Sequence, residues 1–115
     1  MGHKEEKTMF TKNVDAAIRT AREGVHYKNL GSGKNTSIHE FRLDKDRIIP
    51  THSHPHEQTG YMVSGRMYFV VDGRKVLVQA GDGWCIPGDV AHAVEVLEDC
   101  VVIEVFSPAR EEYLR

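Results

Sequence analysis

Cysteine is scarce in this chain. Cys85 and Cys100 are the only two among 115 residues, and they form no CxxC pair. That argues against a disulfide-stapled mini-domain and gives a disulfide or a cysteine metal ligand only weak support. Both lie in apolar, strand-like runs, and free buried thiols are expected. Long apolar runs are missing too. None comes near the roughly 18 residues of a membrane-spanning helix, so no membrane partner is expected. An excess of positive charge is also missing. Fifteen basic side chains face 17 acidic ones, for a formal charge of −2. A nucleic-acid partner asks for a basic stripe and is not expected. Met1 to Lys12 is polar and charged rather than apolar, unlike a secretory leader, and the expected location is cytoplasmic.

What is present is an ordinary globular balance, 40% apolar and 28% charged. The length suits one domain. Val14 to Glu23 predicts a short helix. Asn13 can cap it, Asp15 suits its first turn, Gly24 follows its end, and Ala16, Ala17, Ile18 and Ala21 favour helix. Leu30 to Asn35 reads as a loop. The rest reads as about eight short strands: Ser37–Leu43, Arg47–Thr51, Tyr61–Gly65, Arg66–Val71, Lys75–Gln79, Gly81–Pro87, Ala91–Leu97 and Cys100–Phe106. Asp72-Gly73 marks a hairpin. No helical pattern separates the strands, so a parallel α/β fold is disfavoured. The expected class is all-β, a barrel or sandwich.

The chemistry concentrates in Thr51-His-Ser-His-Pro-His-Glu-Gln58, with three of the seven histidines. In an extended chain alternate side chains share a face. His52 and His54 therefore point together, about 7 Å apart along the strand, and can chelate one ion. Gln58 has the same parity and a neutral amide oxygen to offer. Glu57 has the opposite parity, so Gln58 is preferred as the fourth ligand. His56 shares the parity too, but Pro55 turns it away.

His52-x-His54, three residues, Gln58, six residues, Gly65 resembles the first motif of the cupin family. Gly81, five residues, Pro87, then His92 resembles the second. The resemblance covers about Ile38 to Phe106. It implies a single-domain cupin, a double-stranded β-helix or jelly-roll barrel with a short N-terminal helix. Residues 1–35 would be an N-terminal segment in the same domain as the barrel of residues 36–115. It also implies one divalent metal ion (Zn, Ni, Mn, Fe or Cu) on His52, His54, Gln58 and His92. Four departures stand out. Asp46 replaces the usual opening glycine, and Gln58 the usual glutamate. Gly88-Asp89 shifts a glycine by one, and Val96 replaces a closing asparagine. The glutamine makes all four ligands neutral. The ion would keep its full charge and act as a strong Lewis acid.

Val101 to Phe106 is apolar except for Glu104. If the face it shares with Val102 and Phe106 turns inward, Glu104 points into the cavity and can move a proton. If it turns outward, Glu104 is a solvated or interface residue. Glu104-x-Phe106-Ser-Pro-x-Arg110-x-x-Tyr113-Leu114 resembles the C-terminal signature of the pectin-degradation, KdgF-type cupins. The resemblance implies that Glu104 and Arg110 are catalytic and that Phe106 lines the substrate site. Glutamate stands where that group has aspartate, which moves the carboxyl by about 1 Å and puts the same substrate in question. A guanidinium in its own right suits a carboxylate.

The function so implied is conversion of a 4,5-unsaturated monouronate to a linear keto-uronate in uronate metabolism. An Fe- or Mn-dependent dioxygenase and a non-enzymatic sugar- or metal-binding cupin are the alternatives. The expected partner is a small, anionic sugar. The last strand is apolar on both parities, so a homodimer is also expected. Trp84 and Ile86 are expected to pack the barrel. His26 and His39 are expected to be structural or exposed.

Overall fold

The computed structural model describes residues 9–114. Ten antiparallel strands among them make two sheets. The six-stranded sheet has the order β1-β2-β3-β10-β5-β8, and the four-stranded sheet the order β4-β9-β6-β7. The six-stranded sheet comprises β1 (Arg19–Arg22), β2 (Val25–Ser32), β3 (Ser37–Leu43), β5 (Glu57–Ser64), β8 (Gly83–Ile86) and β10 (Cys100–Ser107). The other comprises β4 (Ile48–His52), β6 (Arg66–Val71), β7 (Arg74–Gln79) and β9 (His92–Val96). Their inner faces form the jelly roll that the cupin resemblance implies, within the barrel or sandwich class that the strand pattern predicts. No helix among the described residues is long and apolar enough to cross a membrane.

The expected helix over Val14–Glu23 is absent. A 3-10 turn at Asn13–Asp15 stands there, followed by β1. The reason is burial. The segment has no continuous apolar stripe to bury, and Val14 and Ile18 remain 89% and 55% exposed. A helix of about ten residues is marginal in water without tertiary packing. Glu23-Gly24 instead turns the chain tightly into β2, with Gly24 at φ +78°. The expected loop at Leu30–Asn35 starts later, because β2 runs on to Ser32 past a register shift between Asn29 and Gly31.

Two rows across the six-stranded sheet set the site. His39 (β3), Glu104 (β10), Gly60 (β5) and Trp84 (β8) lie side by side. Next to them run Ser37, Phe106, Gln58 and Ile86. Strict alternation along β10 turns Val102, Glu104 and Phe106 inward, and leaves Val101, Ile103 and Val105 half-buried outside. The apolar core gathers deeper in the barrel, around Phe41, Leu43, Met62, Met67, Phe69 and Val94. Both cysteines are free. Cys100 is buried as expected, but Cys85 is exposed, because Trp84 and Ile86 hold the inward parity of β8.

Candidate metal centre and cavity

His52 ends β4 and His92 begins β9, and the two are register partners in the four-stranded sheet. His54 follows in the connection to β5. One ring nitrogen from each of the three lies within 4.8 Å of the others, so they form a group that could hold a metal ion. The sequence brings His52 and His54 together through strand parity. It gives no direct sign that His92, 38 residues further on, completes the set; only the family motif does.

The tautomers are fixed locally. His52 Nδ1 is 2.9 Å from the Pro50 carbonyl, His92 Nδ1 2.9 Å from the Val90 carbonyl, and His54 Nδ1 3.1 Å from the His56 carbonyl. A carbonyl oxygen only accepts, so each Nδ1 carries the proton. The Nε2 atoms of His52 and His92 keep their lone pairs, the arrangement of metal-bound histidines, while His54 Nε2 faces the Gln58 amide oxygen. Burial holds the pKa of His54 and His92 below the usual imidazole value, and the positive charge of Arg110 adds to this at His54. Unprotonated rings are what a metal needs.

Gln58 is buried on β5, and Glu57 beside it is exposed. The Gln58 amide nitrogen donates to Glu104 Oε1 at 3.1 Å, so its oxygen faces His54 Nε2, 3.0 Å away. A proton on the ring, or a metal ion against both atoms, brings an imidazole nitrogen and an amide oxygen this close. Three neutral imidazoles and one amide oxygen are ligands that such an ion accepts. The donor set therefore fits a divalent transition metal. His56 is half-buried against His54 and Phe106, and it is not one of the grouped ligands.

Glu104 is 5% exposed and faces this centre from β10. Burial pushes its carboxyl up to about 8, against the Trp84 and Gln58 hydrogen bonds and the Arg110 charge, which favour ionisation. Trp84 Nε1 donates to both carboxyl oxygens, at 3.2 and 3.3 Å. From the sequence, Trp84 is expected only to pack the barrel. The signal of a further role is Gly60, a glycine inside a strand. Gly60 stands between Glu104 and Trp84 in the row, and a Cβ there would overlap the indole. Its missing side chain is the gap through which Trp84 reaches Glu104.

Arg110 lies beyond β10, after the cis Ser107–Pro108 peptide. Its guanidinium carbon is 5.0 Å from the Phe106 ring centre and 4.9 Å from that of Tyr113. Nε donates to Glu112. The Nη groups make no hydrogen bond among the described residues, and Arg110 lines the cavity. That cavity has a volume of about 560 Å³ and takes in His52, Gln58, His92, Glu104, Phe106 and Arg110. Its far wall is apolar, with Leu43, Met67, Phe69 and Val94. Every predicted site residue except His54 lines it, and His54 contacts it through Gln58 and Phe106.

The cupin domain profile Cupin_2 matches residues 39–106. The pectin degradation protein KdgF of Dickeya dadantii (strain 3937) is 33% identical over 72 residues, 61% of this chain and 66% of that protein. The structure of KdgF from Halomonas sp. superposes with a TM-score of 0.85 at 27% identity, covering 92% of this chain and 97% of that one. An RmlC-like cupin from Shewanella frigidimarina NCIMB 400 gives 0.86 at 28% identity, covering 91% and 95%. With the fold, the histidine triad and these likenesses in agreement, the chain belongs to the cupin superfamily, near its KdgF type.

Proposed function

We propose that this protein is a metal-dependent enzyme that opens a 4,5-unsaturated monouronate to a linear keto-uronate. The observation that carries the reading is the joint placement on one cavity of His52 and His92 from the histidine triad, the Glu104 carboxyl and the guanidinium of Arg110. The likeness to pectin-degradation KdgF supports the substrate class. His52, His54, His92 and Gln58 would hold the ion. Once bound, it supplies a Lewis acid that polarises substrate oxygens.

The remaining work falls to the chain. Arg110 grips the substrate carboxylate through its free Nη groups. Phe106 stacks beside it and keeps water from that end of the cavity. The reaction is an isomerisation. The ring C–O bond breaks as the hemiacetal hydroxyl becomes an aldehyde, the enol carbon takes a proton to leave a ketone, and the proton lost by the hydroxyl restores the Glu104 carboxyl through solvent. Glu104 delivers the enol carbon's proton from its carboxyl oxygen. Burial favours the protonated form of this carboxyl, the form that acts as the acid. Trp84 and Gln58 fix its direction.

We place the enzyme in the cytoplasm, as a homodimer through the outer face of β10, where Val101, Ile103 and Val105 are half-buried. Light scattering tests the dimer. The activity is tested by mixing metal-loaded protein with 4,5-unsaturated galacturonate and following loss of the ultraviolet absorbance of the conjugated double bond. Decay no faster than in buffer overturns the reading. Uptake of oxygen that depends on Fe(II) would point instead to a dioxygenase.

A further inference from the structure

Two buried polar side chains have no part in the chemistry above. Ser37 and His39 are 1% and 0% exposed on the inner face of β3. Buried polar groups persist where hydrogen bonds occupy them. Ser37 Oγ accepts the Arg110 backbone N–H at 2.9 Å and lies 2.8 Å from His39 Nε2. The hydroxyl can donate to that nitrogen or accept from it, and with either tautomer His39 Nδ1 is buried without a partner. An apolar residue among Phe41, Phe106 and Tyr113 would leave no such orphan. Stability is thus a poor reason for a histidine here.

The neighbours of the pair suggest another. Arg110 lies past the end of β10, so its N–H is tied to the barrel by a side chain rather than by a strand. His39 also packs against Phe106 and Tyr113, at 5.7 and 5.6 Å between ring centres. These are the two rings that hold the guanidinium. The pair therefore touches Arg110 at both ends, its backbone through Ser37 and its guanidinium through the rings.

We infer that Ser37 and His39 are positioning residues for Arg110, holding its guanidinium in the one direction that meets an anionic group in the cavity. The role in catalysis rests on the function proposed above, but the positioning itself does not. It predicts that Ser37→Ala shifts and broadens the Arg110 Nε–H signal in a ¹⁵N NMR spectrum of the metal-loaded protein, with that signal assigned by its loss in Arg110→Ala. Ser37→Thr, which keeps the hydroxyl, restores the signal. Val96→Ala, a buried change away from the cavity, leaves it in place. An unmoved, sharp Arg110 signal in Ser37→Ala overturns the inference, whatever the enzyme's substrate. With the unsaturated uronate, Ser37→Ala raises KM about tenfold, changes kcat less than threefold, and adds nothing in an Arg110→Ala background. Additive losses in that background also overturn it. If wild-type protein turns over no uronate while the NMR result holds, the proposed function fails and the positioning stands.

Discussion

Acidification should reveal His39. Its ring is fully buried, and burial, reinforced by the Arg110 charge, lowers its pKa to about 4. The charged and titratable groups around it are Arg110, Tyr113 and, across the register, Glu104. An unfolded histidine takes up its proton near pH 6.5. The unfolded chain therefore gains a proton that the folded chain refuses, and stability falls as pH drops from about 6.5 towards 4. At pH 5 the protonation factor is about 30-fold larger for the unfolded state, and RT ln 30 is about 2 kcal/mol. For a domain of this size that corresponds to roughly 8 °C in Tm. The comparison is urea unfolding of chelator-treated protein at pH 7 and pH 5, wild type against His39→Gln. Chelation removes the proton dependence of metal binding. His54 and His92 also resist protonation, but they act equally in both proteins and cancel in the difference. Wild type should lose about 2 kcal/mol more than the variant. Equal losses would refute the claim that His39 is buried and neutral.

Other outcomes follow from the same geometry. Gly60→Ala drives a Cβ into the indole of the sole tryptophan, so it should red-shift Trp84 emission and cost about 1–3 kcal/mol in urea unfolding. Glu104→Gln should lower kcat on the unsaturated uronate by about 10²-fold or more while metal content measured by mass spectrometry stays unchanged. In the native protein a thiol reagent should modify one cysteine rapidly, the exposed Cys85. Cys100, whose thiol burial pushes up to about 11, should react only on unfolding.

Much of the barrel was legible because period-two alternation and turn residues act locally. Asp72-Gly73 folds into the hairpin between β6 and β7, with both residues at positive φ. The inward turn of Glu104, left open by the sequence, follows from its place between Val102 and Phe106 on β10. The N-terminal segment misled because alanines and a capping asparagine favour a helix only when there is something for it to pack on. Two features of the site were beyond the sequence. The Glu104–Trp84 bond depends on the pairing of β10, β5 and β8, and the Ser37–Arg110 bond joins residues 73 positions apart. Register across strands distant in the chain is set by the whole core. His39 looked isolated in the sequence because its partners, Phe106 and Tyr113, are brought to it only by β3–β10 pairing and the turn beyond β10.

The central claim is that His52, His54 and His92 hold one divalent ion in this cavity. Calorimetric titration of chelator-treated protein with Zn(II), a redox-silent ion that imidazole binds well, tests it most directly. The expected result is one ion per chain, a rise in Tm with saturation, and loss of both in His54→Ala. Absence of saturable binding, or binding that survives His54→Ala unchanged, would contradict it.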